Sequence, residues 1–376
     1  MQCNRKIAAM YGSTAGRALR RACAIGAVLG VIAAAGAAKA EDPGFPAATG
    51  DPSVLPQGAK LDRVFNGACQ LTEGPAVSPT DGSVYFSDIT FTALCKDPSG
   101  KYDQAGNIWR YDPKSGKTEV FLSPSGMANG MKFDADGNLI VAAGADYGLR
   151  SILKIDMKTR KAYILTGMYD GRPYNAPNGV SIDEQGRIYF TDPRYLGWEG
   201  MYQPVEGVYR LDPDGKVTRI IADAPKPNAI QVSPDQKTLY IAPHDNGAFD
   251  FTRLGKNEKT KNGVMALFAY DLAPDGSVGN RRTVVNWTPN GGADDVTVDV
   301  DGNIYAAVRN EEAPGVYIYA AQGKQLAYIS TGKELPTNLD FGWGDDGNLL
   351  YVTSGKGLYS IRLVKKGWHL PMHAAR

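Results

Sequence analysis

Histidine and cysteine are scarce in this chain of 376 residues, with three of the first and four of the second. The histidines (His244, His369, His373) and the cysteines (Cys3, Cys23, Cys69, Cys95) are too few and too scattered for a four-cysteine or histidine-rich zinc site. No Gly-x-Ser-x-Gly nucleophile elbow occurs, which argues against a serine hydrolase. No stretch carries a sustained helical period. The formal net charge is only +1, so nothing marks the chain as a binder of phosphate backbones, and no nucleic-acid partner is expected.

The first forty residues read as an export signal. Arg5, Lys6, Arg17, Arg20 and Arg21 form a basic front, Ala22 to Ala38 an apolar run, and Ala38-Lys39-Ala40 a small-x-small cleavage site. The run is short and alanine-rich for a membrane span; an uncleaved anchor is the alternative. Arg20-Arg21 suggests a twin-arginine route, and the protein is expected to be periplasmic or secreted, with no membrane attachment after cleavage. Removing residues 1–40 takes six of the 41 basic residues and none of the 40 acidic ones, leaving a net charge of about −5. Cys69 and Cys95 remain in an oxidising compartment. A disulfide between them is expected, two separate thiols being the other possibility.

What the chain has in abundance is repetition. Six segments share one pattern, an oxygen-bearing residue heading an alternating apolar strand, then an Asp/Gly turn, then a second strand. Asn178-Gly-Val-Ser-Ile-Asp followed by Arg187-Ile-Tyr-Phe-Thr-Asp is one of them. The heads are Glu73, Asn129, Asn178, Asn228, Asp294 and Thr337, at separations of 56, 49, 50, 66 and 43 residues. Strand repeats of this period predict an all-β, six-bladed β-propeller with four-stranded blades. In the third repeat the strands are expected at 179–183, 187–191, 207–211 and 217–221. The sixth repeat is one strand short, and Leu61 to Phe65 is expected to supply its outer strand. The chain then divides into a signal (1–40), an N-terminal extension (41–60), the propeller (61–364) and a C-terminal tail (365–376). The Asp-x-Asp-Gly pieces at Asp134 and Asp299 lack the downstream spacing of a calcium loop and read as tight turns.

Register places the six heads around one end of the central channel. Two carboxylates and three amides converging there make a cage for a hard divalent cation. Each head taken singly is also an ordinary strand-starting residue, Glu73 least so. His244, after the second strand of blade 4, falls on the same face, either as a second acid/base or as a solvated loop histidine. The loops carrying Tyr147, Tyr195, Trp198, Met201, Tyr202 and Arg309 surround the entrance. They either bind a sugar or acyl ring or pack against one another. The long loop from Asn246 to Gly263 is either a lid or a charged disordered segment.

Glu73-Gly-Pro, Pro177-Asn-Gly, Pro227-Asn and Asp294-Asp-Val resemble the gluconolactonase and regucalcin (senescence marker protein-like) family of six-bladed, calcium-dependent lactonases. Ser125-Gly-Met-Ala-Asn-Gly-Met131 and Glu206-Gly-Val-Tyr-Arg-Leu-Asp-Pro213 resemble its secreted bacterial gluconolactonases. The resemblance implies ligation of one divalent cation by Glu73, Asn178, Asn228 and Asp294. Calcium is the expected ion, with zinc, magnesium or manganese as substitutes. It also implies Asp294 as catalytic acid/base and Asn129 as a contact to substrate or to a water on the metal. Three positions depart from the family pattern: Ala176 where regucalcin-like members carry Arg, Asp295 in place of Gly, and Ala229 in place of Gly. The implied activity is hydrolysis of a sugar lactone such as gluconolactone, by a monomer or weak dimer. Two alternatives stand beside it, an aryl-ester or phosphotriester hydrolase using the same site and a non-catalytic ligand- or protein-binding propeller. A metal-free strictosidine-synthase-like propeller is more distant.

Overall fold

A computed structural model describes residues 44–90, 94–144, 148–195, 201–247 and 261–372. The expected export segment, Tyr147, Trp198, His373 and most of the 246–263 loop lie outside the described residues.

Alternating apolar runs broken by Asp/Gly turns fold into consecutive antiparallel meanders, because a two-residue period buries one face and a tight turn returns the chain. Among the described residues six blade sheets result, five of four strands and one of five, each running from an inner strand outward, beside a two-stranded ribbon of Met168–Tyr169 and Arg172–Pro173. Blade 1 comprises Leu71–Val77, Val84–Ile89, Asn107–Asp112 and Lys117–Leu122. The inner strands of blades 2 to 6 are Ala128–Phe133, Val180–Ile182, Pro227–Val232, Ala293–Val298 and Pro336–Phe341. In blade 3 the strands are Val180–Ile182, Ile188–Asp192, Gly207–Leu211 and Val217–Ile221, within one residue of the boundaries expected from sequence.

The turns consume their own carboxylates. Asp134 Oδ1 accepts the backbone N–H of Asp136 and of Asn138, and Asp299 Oδ1 those of Asp301 and Asn303. Gly137 and Gly302 take the positive φ angles (77° and 82°) that close these turns. They are turns in structure as well as in sequence.

Six apolar clusters fill the six junctions between neighbouring blades among the described residues. Closure falls at the junction of blades 6 and 1. Asp62–Asn66 pairs antiparallel with Gly357–Arg362 and becomes the outer strand of blade 6. From there Phe65 packs against Phe86 and Trp109 of blade 1, with ring centroids 5.4 and 5.2 Å apart. Deleting residues through Asn66 leaves Gly357–Arg362 as an open edge and strips the seam of Phe65. We expect such a protein to lose its cooperative thermal transition or to melt at least about 10 °C lower, read by circular dichroism.

The N-terminal extension also packs. Thr49–Gly50 adds a fifth strand to blade 5, and Val54 and Leu55 are buried between blades 5 and 6. At the far end of the channel the C-terminal tail crosses several blades. Trp368 N–H donates to Val298 O, His369 Nε2 sits 2.8 Å from Gly342 O, and Leu370 packs against the core of blades 2 and 3.

Candidate active site

The inner strands are not regular where the chemistry is expected. Asn129, Asn228, Asp294 and Thr337 each fall in a β-bulge, and Glu73 borders one. A bulge inserts an unpaired residue and turns its side chain out of the sheet alternation. Glu73, Asn129, Asn228 and Asp294 line the channel mouth at these irregularities, and Asn178 joins them from just ahead of its strand. Close approach of adjacent strands requires the glycines that follow them. A Cβ on Gly74 would lie 2.0 Å from Asn129 O, one on Gly130 2.5 Å from Asn178 O, and one on Gly179 2.6 Å from Asn228 O. This chain of contacts brings four successive heads together.

A cavity of about 140 Å³ at this end is lined by Glu73, Asn129, Asn178, Asn228 and Asp294. His244, Tyr195, Asn246 and Arg309 line it as well, and Leu71, Ile89 and Ala176 complete it. Asp294 is the hub. Its Oδ1 accepts from Asn228 Nδ2, and its Oδ2 lies 3.1 Å from Arg309 Nη1. Glu73 is almost wholly buried, and Oε2 accepts only the N–H of Gly74, at 3.1 Å. Burial, with Asp294 and then Asp295 close by, pushes its carboxyl well above the usual range. Asp295 is pushed up to about 7, chiefly by burial.

His244 is buried, which lowers its pKa below the ordinary histidine value. Its Nδ1 lies 3.2 Å from Ala293 O. A carbonyl can only accept, so Nδ1 carries the proton and Nε2 is the acceptor. The Tyr195 ring stands 6.3 Å from the His244 ring, edge to face, and its hydroxyl reaches Lys226 O at 3.4 Å. Lys226, almost fully buried, places Nζ over the Tyr195 ring and donates to Asn246 Oδ1.

Among the site residues read from sequence, the cavity gathers Glu73, Asn129, Asn178, Asn228, Asp294, His244, Tyr195 and Arg309. Tyr202 is not in its lining; it is exposed, with its ring against Arg150. Thr337 departs from the expected ring of six. Its hydroxyl donates to Thr72 O at 2.7 Å and meets Thr353, fastening blade 6 to blade 1. Cys69 and Cys95 are joined as a disulfide, with Cα atoms 6.1 Å apart. Leu71 and Ile89 carry no role in the sequence pattern, and Ala176 enters it only as a departure from the family. A signal for the first two exists: Leu71 precedes Glu73 by two residues on one strand, and Ile89 is its cross-strand partner.

The donor set is suited to a hard cation. Among the described residues no three His, Cys, Asp or Glu side chains gather as a metal group; here two carboxylates are joined by three amides. Asn129 Oδ1 is buried without any hydrogen-bond partner. An orphaned amide oxygen beside a buried acid is the arrangement a cation completes.

A sequence profile of the SMP-30/Gluconolactonase/LRE-like region matches residues 71–356, all six inner strands included. The chain belongs to this family. Gluconolactonase of Zymomonas mobilis is 30% identical over 289 residues, 69% of this chain and 73% of that protein. Pentonolactonase XacC of Haloferax volcanii is 27% identical over 302 residues, 79% of this chain and 86% of that one. The solved structure of a Xanthomonas campestris gluconolactonase superposes with a TM-score of 0.67 at 25% identity, covering 86% of this chain and 98% of that one.

Proposed function

We propose that the protein is a lactone hydrolase that acts on a sugar lactone such as gluconolactone and uses one divalent cation, calcium, held by Glu73, Asn178, Asn228 and Asp294. The observation that carries this is the convergence of Glu73 and Asp294 with Asn129, Asn178 and Asn228 on one cavity, where Asn129 Oδ1 has no protein partner. The similarity to a gluconolactonase and a pentonolactonase supports hydrolysis of a carboxylic ester of the lactone class. The export segment and the joined Cys69 and Cys95 support a periplasmic or secreted location.

When bound, the cation polarises the lactone carbonyl and stabilises negative charge as it develops on that oxygen. The remaining tasks fall to side chains. Asp294 accepts the proton of the attacking water, and Arg309 and Asn228 hold its carboxylate in place. His244, neutral with Nε2 as acceptor, is the second acid/base, positioned by Ala293 O and the edge of Tyr195. Asn129, whose Oδ1 has no hydrogen-bond partner, contacts substrate or a water on the cation.

The test is titrimetric hydrolysis of gluconolactone by the purified protein, before and after a chelator and after calcium is restored. Turnover that disappears and returns supports the reading. Faster turnover of an aryl ester or phosphotriester than of any lactone would replace the substrate. Absence of metal-dependent turnover would leave a binding propeller.

The Glu73 carboxyl adds a sign. Its pKa is raised, so without a cation it keeps its proton to higher pH than an ordinary carboxyl does, and ligation competes with that proton. Cation affinity is expected to rise with pH. Calorimetry in buffers of different ionisation enthalpy should detect proton release on binding. A pH-independent affinity with no proton release would contradict the assignment of Glu73.

A further inference from the structure

The cavity has two unlike sides. Blade 1 contributes Leu71 and Ile89, opposite each other in register at the channel mouth, and Ala176, ahead of the third inner strand, is the other aliphatic residue of the lining. Blades 4 and 5 contribute His244, Asn246 and Arg309. In a ring of six, blade 4 stands across the axis from blade 1.

The polar side supplies a guanidinium donor, an amide and an imidazole acceptor, a set that matches ring hydroxyls. A hydroxyl turned toward Leu71 and Ile89 meets carbon only, and it leaves water without a new partner. A C–H edge in that place gains burial instead. A lactone with hydroxyls on every carbon therefore fits one side of this cavity and mismatches the other.

We infer that the preferred substrate is a sugar-type lactone with one hydroxylated edge and one deoxygenated edge, the latter seated against Leu71, Ile89 and Ala176. This rests on the lactonase reading and specifies its substrate class. The carbonyl lies at the cage, the hydroxyls face His244, Asn246 and Arg309, and a methyl or methylene group faces blade 1.

A matched pair of substrates isolates the effect: glucono-δ-lactone and its 6-deoxy analogue, which differ by one hydroxyl. With calcium-loaded wild-type protein, kcat/KM should favour the deoxy compound by about tenfold, mostly through KM. Leu71 is partly exposed at the start of its strand, so Leu71→Gln should fold, and it should bring that ratio close to one. Ala176→Ser gives a second, milder variant that should move the ratio in the same direction. Equal turnover of the two lactones by wild type, or a ratio that neither variant changes, overturns this inference and leaves the lactonase reading standing. Failure to turn over either compound overturns both.

Discussion

Asp294→Asn is expected to reduce lactone turnover by at least about a thousandfold, since a positioned general base alone contributes about 10²–10⁴. Three consequences of the substitution act together. The amide cannot accept the proton of the attacking water. It contributes no negative charge to the cage. It also turns an NH₂ or a neutral oxygen toward Arg309 Nη1, where an ion pair of 3.1 Å stood. The last costs stability on the order of 1 kcal/mol, because the pair is mostly buried. It does not cost the fold, which rests on six inter-blade clusters remote from this side chain. The measurement is kcat/KM alongside circular dichroism. A folded Asp294→Asn protein with wild-type turnover would remove Asp294 from the chemistry.

Glu73→Gln is the second large effect, and it separates binding from catalysis. Loss of an outer-shell partner costs a metal site about 10–100-fold in affinity, so loss of a ligating carboxylate should cost at least about a hundredfold. Without cation the result reverses. Burial, with Asp294 and Asp295 close by, disfavours the charged form of Glu73, and a neutral amide of the same shape keeps the acceptor for Gly74 N–H. The cation-free variant should melt at the wild-type temperature or above it, while the stabilisation by added calcium should vanish. A variant that binds calcium as wild type does would show that Glu73 is buried for another reason.

The repeat was legible in the sequence because propeller strands obey a two-residue period and end in Asp/Gly turns. Both are local properties, and they located blade 3 to within a residue. The missing outer strand of blade 6 could be read from Leu61 to Phe65 for the same reason, and the strand that pairs with Gly357–Arg362 is Asp62–Asn66. The heads of the repeats named the cavity, but not which of them reach it. Thr337 has the right place and an oxygen, yet its hydroxyl is taken by Thr72 O. That contact joins residues 265 positions apart, and nothing local encodes it. The bulges were hidden for a similar reason, since they become visible only when both strands of a pair are placed. The roles of Lys226 and of the Leu71–Ile89 wall depend on contacts across strands and blades. The Ala176 departure was readable as a missing charge, but not as part of the cavity lining.

The account depends on oxygen atoms from four blades meeting around one ion. A crystal grown with calcium, with the anomalous signal measured, tests this most directly. It predicts one strong peak in the channel mouth, about 2.3–2.6 Å from side-chain oxygens of Glu73, Asn178, Asn228 and Asp294. A mouth without a peak at saturating calcium, or an ion held elsewhere by other residues, would contradict it.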